Sequence, residues 1–325
     1  MYYGEAGSYL SIWEWSCLGV LLLIVFPVFL ISFVIFCKLL LRAPRRRGER
    51  FPCFPEDEEY MAMWEGAMQW RKLNADRCRE VSVRSDNIPL CGEYYDFGGD
   101  RAVIVLPGRT ECCVYSAYFA EPYKKAGCNV LLIDSRGTGR SGGWLNRLGF
   151  REWKDVLRWA ELLHNELNNR EVLLHGICIG CCTALRTCVQ PQTPDWIVGM
   201  AAEGMFQCFY DTTKNHMIES HRPPYPTLSV LMMWIRLFCG SSAKHDGPVR
   251  DIYRMQRPLL MLHSREDVFS TPDRAQELFD RCPSKEKRIQ WFDHGRHSRV
   301  RLVNTEEYDH AVISFVGFLD GGNDS

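Results

Sequence analysis

The sequence lacks a surplus of charge of either sign. Its 325 residues include 39 Lys and Arg against 40 Asp and Glu, which gives a formal net charge of -1. A protein that binds nucleic acid needs a basic face toward the phosphates, so the overall charge disfavours that function. Hydrophobic residues make up 46% of the chain and charged residues 24%, which excludes an intrinsically disordered protein. We therefore expect a globular protein that does not bind nucleic acid.

Motifs for cofactors and metals are also missing. The sequence contains no Gly-rich phosphate loop and no dinucleotide-binding fingerprint. Cys178, Cys181 and Cys182 lie close together, but no second pair of Cys or His residues accompanies them at ligand spacing. We therefore expect neither a cofactor nor a bound metal ion.

Charge is absent from one long stretch near the N-terminus. From Trp15 to Cys37 every residue is uncharged, and most are Leu, Ile, Val or Phe. About 20 apolar residues are enough to span a bilayer core. No Lys or Arg precedes the stretch, whereas a signal peptide begins with basic residues. The sequence therefore predicts a transmembrane helix over residues 15–41, after a short N-terminal segment 1–14.

Basic residues follow this stretch directly. Lys38, Arg42 and an arginine-rich run over 45–50 favour contact with anionic lipid head groups. The positive-inside rule then places the N-terminus outside and the rest of the chain in the cytoplasm. The 15 cysteines show no regular spacing of a disulfide framework, which agrees with a reducing compartment. Residues 42–79 are predicted to form a juxtamembrane linker and a leading helix.

The remaining residues, 80–325, alternate short apolar runs with amphipathic stretches, which is typical of a parallel sheet covered by helices on both faces. The predicted strands cover residues 102–106, 129–133, 171–174, 197–202, 258–262 and 287–292. The predicted helices cover residues 115–126, 150–167 and 178–189. In such sheets the chemistry lies beyond the carboxyl ends of the strands.

A candidate nucleophile follows the strand over 171–174. Gly176, Cys178 and Gly180 form a G-x-C-x-G pattern that leads directly into a helix. This is the pattern of a nucleophile elbow with Cys in place of Ser. The turn holds the nucleophile in a strained backbone conformation, and glycines two residues before and after leave room for it.

A nucleophile elbow requires an acid and then a histidine later in the chain. Asp267 comes after the strand over 258–262, and His297 comes after the strand over 287–292. The sequence predicts Cys178 as the nucleophile, His297 as the general base and then acid, and Asp267 as the group that orients His297. Glu266 and Asp293 are alternatives to Asp267, and His294 is an alternative to His297.

The oxyanion hole requires two backbone N–H groups. One is expected from Ile179, the residue after the nucleophile, and the other from Arg109 in the loop after the strand over 102–106. Gly108 is expected to let this loop turn back over the nucleophile.

From about residue 80 to 320 the sequence resembles the α/β-hydrolase superfamily, in particular bacterial membrane-anchored hydrolases grouped with the serine aminopeptidases. The strongest local similarity is the segment 129–142, N-V-L-L-I-D-S-R-G-T-G-R-S-G, which is similar to the D-x-R-G-x-G-x-S loop of those enzymes. The resemblance implies an α/β-hydrolase fold with a cap insertion at about 204–256. It also favours His297 over His294, because the residues after His297 resemble the start of the family's final helix. The family usually has His where Pro107 stands and Ser where Cys178 stands.

Together these features predict a membrane-anchored hydrolase of acyl ester, thioester or amide bonds that uses a Cys-His-Asp triad. The substitutions at Pro107 and Cys178 leave one alternative, a catalytically silent module of the same fold that binds a ligand or a protein partner. The cap stretch contains Phe206, Phe209 and an apolar run over 231–235. It is predicted to be a lid helix that packs on the core, or a Met- and aromatic-rich lid that shapes an acyl pocket, in which Trp234 and Met233 would set the chain-length preference.

Overall fold

The computed structural model describes residues 12–41, 52, 54–109 and 111–321, so the segment 1–11 and the arginine-rich run over 45–50 lie outside the described residues. The described strands are β1 (Cys78–Ser85), β2 (Ile88–Tyr95), β3 (Arg101–Leu106), β4 (Asn129–Ile133), β5 (Glu171–Ile177), β6 (Ile197–Glu203), β7 (Leu259–Ser264) and β8 (Lys287–Phe292). The described α-helices are α1 (Ile12–Leu40), α2 (Glu58–Leu73), α3 (Cys113–Ser116), α4 (Glu121–Lys125), α5 (Trp153–Glu161), α6 (Ile179–Cys188), α7 (Phe209–Glu219), α8 (Thr227–Cys239), α9 (Pro248–Asp251), α10 (Pro272–Arg281), α11 (Val300–Val303) and α12 (Thr305–Gly321).

The strands form one eight-stranded sheet in the order β1-β2-β4-β3-β5-β6-β7-β8. The pairs β1–β2 and β2–β4 are antiparallel, and all the other neighbours are parallel. Every residue of β3, β4 and β7 is buried, because helices cover both faces of the sheet and a separate apolar cluster fills each side. The mostly parallel sheet with flanking helices, predicted from the apolar runs, is confirmed.

The antiparallel β1–β2 hairpin is absent from the sequence-based prediction. Its residues alternate between exposed and partly buried positions along β1, so β1 has no continuous apolar run. The turn between the strands contains Asp86 and Asn87, both with positive φ (48° and 62°), as two-residue hairpin turns require. The Asp-Asn pair was the signal available in the sequence.

The predicted helix over 115–126 is interrupted. α3 ends at Ser116, a short 3-10 turn covers Ala117–Phe119, and α4 starts again at Glu121. Pro122 lies in the first turn of α4, where the backbone N–H that proline lacks would have no partner within the helix. In a continuous helix over 115–126 the same proline would remove a hydrogen bond.

Helix α1 contains the long uncharged stretch of the sequence. The prediction of a transmembrane helix over 15–41 is not supported, because no helix among the described residues is long and apolar enough to cross a membrane.

The second half of α1 packs on helix α8. The ring of Trp234 lies 5.1 Å from the ring of Phe33 and 6.1 Å from that of Phe29, measured between centroids. Phe36 and Leu40 are buried in the same cluster. Part of the apolar character of this stretch is therefore used for packing within the protein.

The loop after β4 is held in place by charged residues, among them Asp134 and Arg136. The Asp134 carboxylate accepts hydrogen bonds from the N–H groups of Cys113 (2.9 Å) and Arg140 (2.8 Å). Arg136 forms a two-point ion pair with Asp155 of α5, with Nε to Oδ2 at 3.0 Å and Nη2 to Oδ1 at 2.6 Å. Both side chains of this pair are at most 7% exposed. The D-x-R-G-x-G-x-S segment therefore has a structural role, because its contacts connect the end of β4 with the first turns of α3 and α5.

Breaking this buried pair is expected to destabilise the fold. In Asp155→Ala the guanidinium of Arg136 stays buried beside only the exposed Asp86, and such uncompensated burial costs about 3–5 kcal/mol. Urea unfolding of the full chain in detergent measures the loss. The double variant Arg136→Met with Asp155→Leu, which removes both charges, is the control and is expected to recover most of the free energy of unfolding. A loss under about 1 kcal/mol in Asp155→Ala, the range of an exposed pair, would contradict this prediction.

Candidate active site

Cys178 lies at a sharp turn between β5 and α6. Its backbone has φ 52° and ψ -111°, which is a strained conformation for a residue with a side chain. A Cβ at Gly176 would approach the backbone N of Cys181 to 2.5 Å, and a Cβ at Gly180 would collide with the carbonyl oxygen of Leu106. Gly176 is therefore required by its close approach to the first turn of α6, and Gly180 by its packing on β3, at the positions where the sequence predicts the elbow.

Asp267 and His297 come together beyond the carboxyl ends of β7 and β8. His297 Nδ1 and Asp267 Oδ2 are 2.7 Å apart. The other oxygen of Asp267 accepts hydrogen bonds from the backbone N–H groups of Phe269 (2.9 Å) and Ser270 (2.8 Å), which fix the carboxylate. The side chains of Asp267 and His297 are only 2% and 7% exposed.

The alternative acid and histidine positions lie elsewhere, on the surface. His294 pairs with Glu266 at 3.0 Å, and their side chains are 74% and 52% exposed. Asp293 is largely exposed and pairs with Arg265. These groups are solvated and turned away from the elbow, so the structure brings only Asp267 and His297 to it.

The electrostatics of His297 favour an imidazolium. Burial by itself opposes the charged ring, but the carboxylate of Asp267 and the sulfur of Cys178 outweigh burial and hold the pKa of His297 well above its ordinary value. Burial likewise opposes the charge of Asp267, and the nearby His297 keeps the pKa of Asp267 below its ordinary value. Nε2 of His297 is buried and makes no hydrogen bond of standard geometry within the described part of the chain. This nitrogen is free to give or take a proton.

Ile179 and Arg109, whose N–H groups are the predicted oxyanion donors, line the same cavity as Cys178, and no backbone acceptor is found for either N–H among the described residues. Ile179 is the first residue of α6, so its N–H has no acceptor within the helix. Arg109 follows Gly108 in the loop after β3, and it lines the same cavity as Cys178. Gly108 is held in place because its N–H donates to the carboxylate of Glu111 at 3.0 Å. These are the two positions that the sequence predicts as oxyanion donors.

A buried carboxylate that the sequence analysis missed contacts the residues around the site. Glu203, the last residue of β6, accepts hydrogen bonds from Tyr308 Oη (2.6 Å) and from the N–H of Val300 (3.2 Å). Its carbonyl oxygen also accepts the N–H of Cys178 at 2.9 Å. Burial raises the pKa of Glu203 to about 7. Glu203 therefore connects the elbow with the segment after His297, and its place at a strand end was the signal that could have identified it.

One cavity of about 960 Å³ contains the site. Cys178, His297 and Arg109 lie on its polar side. Its apolar wall comes from α1, α7, α8 and the segment before α7, through the side chains of Ile35, Leu39, Phe206, Phe209 and Leu231. A cavity of this size and character suits a small molecule with an apolar part.

The cap contributes to the cavity through Phe206, Phe209 and Leu231, in agreement with a lid that shapes a pocket, but the expectation for Trp234 and Met233 is wrong. Trp234 points toward α1 and contacts Phe29 and Phe33. Met233 is 42% exposed. Neither is among the residues described as lining the cavity. The apolar wall instead includes α1, which no pattern in the sequence linked to the site.

Comparisons with known proteins agree with this architecture. Residues 101–205 match the family described as the alpha/beta hydrolase fold, and residues 246–301 match the serine aminopeptidase S33 family. The chain is 27% identical over 227 residues to the uncharacterized protein YqkD of Bacillus subtilis, which covers 69% of this chain and 73% of that protein.

Solved structures of hydrolases have a similar fold. An esterase of Pyrococcus furiosus superposes with a TM-score of 0.67 at 21% identity, over 86% of this chain and 97% of that one. A monoacylglycerol lipase of Paleococcus ferrophilus superposes with a TM-score of 0.52 at 18% identity, over 71% of this chain and 99% of that one.

The two family matches follow the sheet in chain order. The first includes β3 to β6 with Cys178, and the second includes β7, β8, Asp267 and His297. Sheet order, elbow and matched segments agree with one another, and together they support a member of the α/β-hydrolase superfamily and an enzyme of the hydrolase class.

Proposed function

We propose that the protein hydrolyses acyl esters and thioesters through an acyl intermediate on Cys178. The observation that carries this proposal is a strained, partly exposed Cys178 that shares one cavity with the buried Asp267–His297 pair. A nucleophile, a base and a group that orients the base are the elements of covalent acyl transfer.

The first half of the reaction forms the acyl-enzyme. The thiolate of Cys178 attacks the substrate carbonyl carbon and forms a C–S bond, and the developing oxyanion receives the N–H groups of Ile179 and Arg109. The C–O or C–S bond to the leaving group then breaks, and the leaving group takes a proton from Nε2 of His297. In the second half, a water gives its proton to the same nitrogen and attacks the acyl carbon. The Cys178–acyl bond breaks, the carboxylic acid is released, and the thiolate of Cys178 is restored beside a protonated His297.

The Cys nucleophile affects which bonds are cleaved. In the tetrahedral intermediate a thiolate is expelled more easily than an alkoxide or an amide nitrogen, because a thiol is the stronger acid. The intermediate therefore returns to substrate unless the leaving group competes with the sulfur. We expect thioesters and aryl esters to be cleaved faster than alkyl esters, and amides slowest. The esterase and lipase structures with a similar fold support the ester class.

The proposal is tested with a panel of short and long acyl esters, thioesters and amides on the full chain in detergent. Turnover of thioesters or aryl esters by the wild type is the expected result. An absence of turnover in the wild type, with activity only in Cys178→Ser, would contradict it. In that case the scaffold would be a binding module whose native function is not hydrolysis.

Helix α1 is expected to limit the length of the acyl chain that the cavity accepts. Leu39 is only partly buried and lines the cavity, so a larger side chain there has room to project into it. Leu39→Trp is therefore expected to lower kcat/KM for long-chain esters about 10-fold relative to short ones, as the loss of a few apolar contacts does. Leu237→Trp is the control, because Leu237 is 67% exposed on α8 and does not line the cavity. An unchanged ratio of long-chain to short-chain kcat/KM in Leu39→Trp would contradict the prediction.

We further propose that α1 attaches the enzyme to a membrane, with the catalytic part on the cytoplasmic side. Leu23, Phe26 and Leu30 of α1 are at least 50% exposed, and basic residues follow the helix in the sequence. The full chain is expected to stay with membranes during a carbonate wash and to leave them after the triple replacement of these three residues by Glu. Recovery of the wild type in the wash would contradict attachment. Cleavage of the catalytic part by protease added outside intact cells would contradict the proposed side.

A further inference from the structure

Arg109 lines the cavity, and its guanidinium is close enough to Cys178, Tyr60 and Glu111 for their charges to interact. Arg109 is partly buried and lines the cavity together with Cys178 and His297. Among the residues that the structure describes, no hydrogen bond or ion pair engages its side chain. An Arg side chain cannot lose its proton in a protein, so this charge is permanent. Such a group is costly to hold away from water unless something binds it.

Each acidic group near Arg109 has another partner, and for Cys178 this partner is His297. The Glu111 carboxylate is already used by the N–H of Gly108 (3.0 Å) and by Tyr60 Oη (3.4 Å), and burial raises its pKa. His216 carries no charge at neutral pH, because burial lowers its pKa to about 4.

The other cations at the cavity are engaged or solvated. Arg299 binds the carboxylates of Asp57 and Glu59 and lies over the ring of Tyr60. Arg296 is 70% exposed at the rim, and Arg222, which also lines the cavity, is exposed. Arg109 is therefore the cation placed beside the nucleophile and left for a ligand.

The geometry points to a substrate that carries an anionic group, a carboxylate or a phosphate, which binds Arg109 while its acyl chain lies along the apolar wall formed by Ile35, Leu39 and Phe209. This inference rests on the proposed function and adds the substrate class, an anionic amphiphile with a scissile acyl bond between its two parts. Arg is suited to this role because its planar fork pairs with both oxygens of a carboxylate or phosphate.

The test compares substrates that differ only in charge. One pair is the decanoyl ester of 3-hydroxybenzoate and that of 3-hydroxybenzamide, and the second pair is a lysophosphatidate and the monoacylglycerol with the same acyl chain. The first pair reports on a carboxylate and the second on a phosphate. We expect the wild type to prefer the anionic member of at least one pair. We expect Arg109→Gln to remove that preference through KM, by about 10- to 100-fold, the range for a hydrogen bond to a charged group.

Matched variants separate this role from others. Arg296→Gln, at the exposed rim, is expected to leave the preference unchanged, and Arg109→Lys to keep part of it. An equal loss for both members of a pair in Arg109→Gln would overturn the inference, because Arg109 would then act on the thiolate or the oxyanion. Equal rates for both members in the wild type would overturn it as well, while leaving the proposed hydrolysis intact.

A binding measurement separates failure of the inference from failure of the proposed function. Decyl phosphate and decanoate are titrated against the full chain and compared with decanol. We expect the anions to bind more tightly, and Arg109→Gln to remove the difference, whether or not the enzyme turns over any ester of the panel. Equal binding of anions and decanol by the wild type would overturn the inference.

Discussion

The Cys178→Ala variant is expected to lose at least about 10³-fold in kcat for thioesters and aryl esters, since removal of a nucleophile leaves only binding and the oxyanion donors. Alanine tolerates the strained turn about as well as cysteine does, because both carry a Cβ at the positive φ of 52°. The fold is therefore expected to persist, which circular dichroism and thermal unfolding check.

Two further variants make this result specific. Cys182→Ala removes a buried thiol four residues along the chain, on α6, and is expected to leave kcat within about 3-fold, as a substitution away from the reacting atoms does. Cys178→Ser is expected to keep measurable but lower activity, because a hydroxyl depends more on its base than a thiol does. Turnover in Cys178→Ala at the wild-type rate would show that Cys178 is not the nucleophile.

The Asp267→Asn variant is expected to lose about 10²- to 10⁴-fold in kcat. The amide keeps the shape of the carboxylate but cannot hold His297 in the same tautomer or stabilise its charge. The backbone N–H groups of Phe269 and Ser270 donate to Oδ1 of Asp267, and Asn retains this oxygen. Fold and substrate binding are therefore expected to persist, so KM should change less than kcat. A loss that appears only in KM would contradict an orienting role for Asp267.

The same variant predicts a shift in the pH dependence of kcat/KM. Asp267 is a main cause of the raised pKa of His297, so its removal lowers that pKa. His297 then loses its proton at a lower pH than in the wild type, and activity that needs the protonated ring is lost with it. We expect the alkaline limb of the profile to move to lower pH in Asp267→Asn. An alkaline limb that stays in place would show that His297 is not the titrating acid, or that its charge does not depend on Asp267.

The sequence was sufficient to predict the central sheet and the three residues at its strand ends. Buried parallel strands are continuous apolar runs, and this is a strong local signal. The elbow has an additional signal, because Gly176 and Gly180 pack against backbone atoms that leave no space for a Cβ. The choice between His297 and His294 needed the structure or a family resemblance, because both follow β8 within a few residues. Their difference is one of burial, which the sequence does not encode locally.

Features that depend on distant packing were not predictable in this way. Glu203 lies at a strand end, but a single carboxylate there belongs to no motif, and its contacts with Tyr308 and Val300 are what connect it to the segment after His297. The role of α1 is a similar case. Its apolar sequence indicates a membrane span, whereas in the fold Ile35 and Leu39 form part of the wall of the catalytic cavity. A truncated chain that begins after α1 would lack this wall, so activity measurements require the full chain.

The most direct test of the account is detection of the acyl group on Cys178. The full chain is mixed with an aryl ester of a long-chain acid, quenched in acid after milliseconds to seconds, and examined by mass spectrometry of its peptides. The account predicts one acyl group on the peptide that contains Cys178, removable by hydroxylamine, and absent in Cys178→Ala. Rapid turnover with no acyl group on Cys178 at any time, or an acyl group on another residue that forms and decays at the rate of turnover, would contradict it.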